Sequence, residues 1–123
     1  MAAKKATAIA DAIRKLALGY PETTEDHPWG ESAFKVHGKT FVFMRAEGDA
    51  ISFTVKLPDS RDFALEFPGS IPTPYGLGSK GWVTMRPLDG KVPIGVIRNL
   101  VDESFRAVAP KRMLKNSRSA PHD

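Results

Sequence analysis

Two stretches of this sequence carry the spacing of phosphate-binding loops. Gly76-Leu77-Gly78-Ser79-Lys80-Gly81 reads G-x-G-x-x-G, and Gly38-Lys39-Thr40 has the ending of a P-loop. Both motifs work only when a helix follows and turns its N-terminal amides toward the phosphate. Pro72 and Pro74 precede the first, and the β-forming Trp82-Val83-Thr84 follows it. The second lacks its opening glycine, because Ala33 stands there, and it runs into a strand-like segment. A flexible loop and a hairpin turn are the expected structures. His27, His37 and His122 have no helical i,i+4 pairing, and the acidic run Glu22-Thr23-Thr24-Glu25-Asp26-His27 lacks the every-second-residue ligands of a calcium loop. No metal and no cofactor are expected. There is no G-x-S-x-G elbow, and the absence of cysteine removes thiolate nucleophiles, Cys-ligated metals and disulfides together. Enzymatic chemistry is not legible, and a non-enzymatic protein is expected.

The chemistry that the residue types do support is contact with an anion beside an aromatic ring. If Val83 and Met85 point inward with Ile51, Phe53 and Val55, strand alternation turns Trp82, Thr84 and Arg86 outward with Thr54 and Lys56. Lys35 and Lys39 flank a hairpin, and Lys80 precedes the tryptophan. Lys35, Lys39, Lys56, Lys80, Trp82 and Arg86 therefore form the candidate nucleic-acid contact set, suited to phosphate and base stacking. The alternative is a small-molecule or protein-binding pocket lined by Trp29, Gly30, Trp82, Tyr75 and the Gly/Pro loop 71–81.

These side chains need a scaffold, and the hydrophobic pattern supplies one. Ala6, Ile9, Ile13, Leu16 and Ala17 recur at helical spacing within 5–18, before Gly19 stops the run. Residues 20–31 are turn formers and acids, which predicts an ordered loop. Strands are expected over 32–36, 40–46 and 50–56, joined by turns too short for anything but antiparallel hairpins. Asp59 is placed to cap a short helix over 60–67. Residues 71–81 predict a long loop, 82–86 a fourth strand, and Asp89-Gly90 a turn. Pro93 then opens a helix whose inward stripe is Ile94, Ile97, Leu100, Val101, Phe105 and Val108, with Arg98, Asp102 and Arg106 spaced for ion pairs on a solvated face. The result is an α+β fold: an antiparallel sheet of about four or more strands with the N- and C-terminal helices packed on one face.

With 123 residues, 41% of them hydrophobic, the chain has room for one core, expected over 1–109. Net charge is +4, and Lys111, Arg112, Lys115 and Arg118 against Asp123 account for most of it. Residues 110–123 lack periodicity and predict a basic, disordered tail. No signal core or membrane-length apolar run occurs. A cytoplasmic protein without membrane contact is expected, as a monomer.

The series Pro21-Glu22-Thr23-Thr24-Glu25-Asp26-His27-Pro28-Trp29-Gly30, then Phe34-Lys35-Val36 and Gly38-Lys39-Thr40-Phe41, resembles the MmcQ/YjbR family of small bacterial proteins. The Pro74-Tyr75 loop, Lys80-Gly81-Trp82-Val83 and Val92-Pro93 extend the resemblance over about residues 6–108. It implies a domain similar to the frataxin-like CyaY sandwich and to the "double wing" domain of a phage transcription activator, and with it DNA as a partner. Trp29, Lys35, Lys39 and Trp82 match the family's motif. Gly76-Leu77-Gly78-Ser79 stands where members often carry His or Asn and more basic residues. The frataxin likeness also raises iron delivery, which Lys4, Lys5, Arg14 and Lys15 against Asp11 in the first helix disfavour.

Overall fold

Apolar residues at spacings of three and four lay down one side of the first helix, α1 (Ala2–Leu18), in the computed structural model, which describes residues 2–27, 31–47, 50–87 and 92–117. Ala10, Ile13 and Ala17 are buried, with Ile9 and Leu16 packed beside them. Gly19 ends the helix by donating its N–H to the carbonyls of Lys15 and Leu16. The Thr23 hydroxyl then donates to the carbonyls of Ala17 and Tyr20, at 3.1 and 2.8 Å, and so satisfies acceptors that the last turn leaves open.

The sheet has six strands where the pattern predicts about four: β1 (Thr23–Asp26), β2 (Ser32–Val36), β3 (Lys39–Glu47), β4 (Ala50–Lys56), β5 (Ile71–Pro72) and β6 (Trp82–Met85). All pairings are antiparallel, in the order β1-β2-β3-β4-β6-β5. The additional strands lie at the two edges, inside segments that predict loops. Neither has a hydrophobic period of its own, and each exists because a neighbouring strand offers it a ladder. Between β2 and β3, His37 (φ 51°) and Gly38 (φ 79°) both adopt the left-handed conformation that a two-residue type I′ hairpin requires. Gly38 is thus a hairpin residue.

One bulge explains why β3 is apolar on both sides. Phe34 pairs with Val42 and Lys35 with Thr40, so Phe41 is an extra residue and joins Val42 and Met44 in the core, leaving Phe43 on the other face. Beyond the Val42–Val55 pair, the helix α3 (Ile94–Val108) bridges β3 and β4: the buried Ser104 hydroxyl accepts the Lys56 N–H at 2.8 Å and donates to the Phe41 carbonyl at 2.5 Å. Phe41 also meets Phe105 edge-on, and Tyr20 stacks on Phe105 with centroids 4.2 Å apart.

Ile97, Leu100, Val101 and Phe105 line the inner side of α3, as its spacing predicts, whereas Ile94 is 49% exposed in the first turn. Arg106 pairs with Asp102 at 2.8 Å, but Asp102 also accepts the Tyr20 hydroxyl at 2.8 Å, so this row is partly turned inward. Burial and the bond to Asp102 push the Tyr20 hydroxyl far above its ordinary range and keep it a proton donor. Asp59 does not cap the short helix α2 (Arg61–Leu65). Glu103 of α3 accepts the N–H groups of both Asp59 and Ser60 instead, at 2.8 and 2.9 Å. The predicted disordered tail is also corrected in part: residues 111–117 form α4 (Lys111–Ser117), with Met113 buried in the core and Leu114 packed against it. Two apolar residues among basic ones are too few to show a period, yet enough to anchor two turns. The predicted Asp89-Gly90 turn lies outside the described residues.

Candidate functional site

Alternation along each strand divides the sheet into a covered and an uncovered face. On β4, Ile51, Phe53 and Val55 are buried beneath the helices, while Ser52, Thr54 and Lys56 point the other way and stay partly exposed. Register carries the division across the sheet. Phe53 and Val55 pair with Met85 and Val83, and Thr54 and Lys56 pair with Thr84 and Trp82. Phe43 pairs with Thr54, and Arg45 with Ser52, on the same uncovered side.

That face therefore brings together Lys35, Lys56 and Trp82 of the predicted set, with the exposed Arg86 one residue beyond β6, and adds Phe43 and Arg45, which sequence reasoning did not single out. Phe43 was hidden by the bulge, because the apolar run around it gave no sign of which residues turn outward. Trp82 and Phe43 lean toward each other across β4, with ring centroids 5.9 Å apart and planes inclined at 56°. Beside them a row of hydroxyls runs over three strands' width: Thr54 to Thr84 at 2.9 Å and Thr84 to Thr73 at 3.1 Å. Among the described strand residues on this side, the acidic ones stand at the margins, Asp26 on β1 and Glu47 at the register position opposite Ala50. Lys35 reaches Asp26 at 3.1 Å, and that ammonium, first as hydrogen-bond donor and then as charge, holds the Asp26 carboxyl below the usual range.

Lys39 does not join this group. Its cross-strand partner is Val36, which faces the core, so Lys39 sits at the hairpin corner on the helix side. Lys80 is exposed at the end of a short 3-10 turn, Gly78–Lys80, just before Trp82. The G-x-G-x-x-G segment is thus a hydrogen-bonded turn without a following helix. It is also well packed: a Cβ on Gly78 would come within 2.8 Å of the Pro72 side chain. Tyr75, in the same loop, is 99% exposed. Trp29 and Gly30 lie outside the described residues.

Neither of two depressions on the described surface is lined by Trp82 or by the 71–81 loop. One, of about 470 Å³, lies between Pro58-Asp59 and the Asp102, Glu103 and Arg106 side of α3. The other, of about 650 Å³, follows the outer side of α1 past Ala8, Ala12 and Leu18. The acidic run of β1 has structural partners. Glu25 accepts from Arg14 Nε at 3.1 and 3.2 Å and from the Ser32 hydroxyl at 2.9 Å. Burial raises the Glu25 carboxyl, but these hydrogen bonds outweigh it and leave the group below its ordinary range. Among the described residues no cluster of His, Asp and Glu is arranged to hold a metal ion, and no helix is long and apolar enough to cross a membrane.

No curated protein sequence matches the chain. The YjbR family model matches residues 18–107, from the end of α1 through the whole sheet and nearly all of α3. Because that span is well over half of the 123 residues and contains every strand of the sheet, the chain belongs to the YjbR family.

Proposed function

We propose that this protein binds nucleic acid without catalysis, through phosphate contacts spread over the uncovered sheet face. The observation that carries this reading is the placement of Lys35, Arg45 and Lys56 around the Phe43–Trp82 pair, with the exposed Arg86 one residue beyond β6 and with Asp26 and Glu47 at margins of the sheet. Cations distributed over a face bind a polyanion by releasing its counterions, and aromatic rings between them give bases a surface to stack on. Lys80 extends the charge beyond β6, while Lys39 lies outside the contact surface. The double-wing likeness that the family resemblance implies runs in the same direction, and a cytoplasmic location is proposed with it.

Salt dependence is the direct test, since each neutralised phosphate adds about 0.9 to the log–log slope on duplex DNA. The double variant Lys56→Ala/Arg86→Ala is expected to lower that slope by about 2, and Lys39→Ala to leave it unchanged. Asp26→Asn, which releases Lys35, is expected to tighten binding. Removing residues 110–123 is a poor control for the basic C-terminus, because it would also strip Met113 from the core. Lys111→Gln/Arg112→Gln takes away exposed charge and leaves that anchor in place. Binding that is insensitive to salt, or absent at low salt, would overturn the reading.

A further inference from the structure

Resting on the nucleic-acid reading of this face, we infer that its ligand is single-stranded, with unpaired bases stacked on Trp82 and covered by Tyr75. Shape is the first reason. A duplex buries the flat sides of its bases and offers only their edges in grooves that admit a helix or a two-stranded ribbon. A six-stranded sheet cannot enter such a groove, and aromatic rings at the centre of its face would meet a sugar–phosphate ridge. Unpaired bases can lie flat against those rings.

Tyr75 is the second reason. It has φ 65° and Gly76 has φ 80°, and the Leu77 N–H closes the turn on the Pro74 carbonyl at 3.4 Å. Two consecutive left-handed residues make a type I′ turn, whose first position favours Asn, Asp or Gly and strains a bulky side chain. Strain of this kind is normally offset by packing, but a ring that is 99% exposed gains almost nothing from its own chain. The conformation is nonetheless well held. Thr73 N–H donates to the Trp82 carbonyl at 3.1 Å, Trp82 N–H to the Leu77 carbonyl at 3.2 Å, and the Ser79 hydroxyl to the Gly76 carbonyl at 2.8 Å. An aromatic ring is thereby projected from a braced loop that is hydrogen-bonded to the backbone of Trp82. Lys80 and Lys56, the latter being the cross-strand partner of Trp82, supply phosphate contacts beside it.

The test compares an oligothymidine of about 15 nucleotides with a duplex of similar length at one salt concentration, by fluorescence anisotropy on the full chain. The single strand is expected to bind about 10-fold more tightly. Trp82→Ala is expected to cost the single strand about 10-fold or more, a larger loss than for the duplex, with Trp82→Phe restoring most of it. Tyr75→Gly removes the ring and relaxes the turn, so it should weaken single-strand binding several-fold while raising the melting temperature, a combination that misfolding cannot produce. Equal affinity for the two ligands, or undiminished single-strand binding by Tyr75→Gly, would overturn this inference and leave phosphate-directed binding standing. Absence of binding to either ligand would remove both.

Discussion

The two faces of one sheet follow different rules. Along β4, neighbouring residues share a backbone and a ladder, yet Phe53 is fully buried and Thr54 stays partly open, because only one side is roofed by α1 and α3. On the roofed side, Phe34, Val42, Phe53, Val55, Val83 and Met85 fill a volume set by the helices, and each is held to its size and shape by its neighbours. On the open side the constraint is lateral: a hydroxyl row, one tilted ring pair and separated cations. The fold needs the first set to exist. The second set is free to specialise, so a binding surface can occupy it at little cost to stability.

The sharpest way to break this contrast is to truncate adjacent residues of β4. Phe53→Ala should destabilise the protein by about 3–5 kcal/mol in urea unfolding, through lost transfer energy and a cavity that closed packing cannot refill. Thr54→Ala should cost under about 1 kcal/mol, since its loss removes one partly exposed hydroxyl bond. Comparable losses at the two positions would mean that the open face is covered after all.

Ser104 is where the two faces are linked. Its hydroxyl holds the Lys56 N–H and the Phe41 carbonyl, so Ser104→Ala leaves two buried backbone groups without a partner and should cost about 1–3 kcal/mol. Because Lys56 belongs to the open face, the same variant should also weaken nucleic-acid binding by loosening that strand end. Unchanged stability would show that the Lys56 N–H and the Phe41 carbonyl find other partners.

The smallest effect concerns acid. Glu25 has a carboxyl held below its unfolded value by Arg14 and Ser32, so its contribution to stability is complete above about pH 4.5 and is lost as pH falls through the lowered folded value. Wild-type stability should therefore decline in that acid window, and Glu25→Gln should flatten the decline while lowering stability at neutral pH. Equal acid sensitivity in the variant would place the titrating group elsewhere.

Much of the covered layer was legible from periodicity alone. Alternation in Ile51, Phe53 and Val55, and the three-and-four spacing of Ile97, Leu100, Val101 and Phe105, each name the residues that the structure buries. The same alternation turns Lys56, Trp82 and Arg86 to the opposite side. β1 and β5 were not legible, because Thr23-Thr24-Glu25-Asp26 and Ile71-Pro72 carry no strand signal and form strands only against a neighbour's free edge. Helix capping misled for a related reason. Asp59 has the right residue type, but the cap position falls on Ser60, which makes no side-chain cap bond, and Glu103, distant in sequence, holds the amides of Asp59 and Ser60 ahead of the helix.

What the sequence by itself determined is the set of elements strong enough to declare themselves: two amphipathic helices, three hairpin-linked strands and the fourth strand at Trp82. Burial of apolar side chains at a regular period is a local property of the chain, and it needs no knowledge of the partner. Tertiary structure alone decided the rest: the bulge that sends Phe41 inward and Phe43 outward, the separation of Lys39 from Lys35, the anchoring of Met113, and the left-handed turn that exposes Tyr75. Each depends on a backbone group or a side chain finding a partner far along the chain or across a strand, and such pairings leave no period in the sequence.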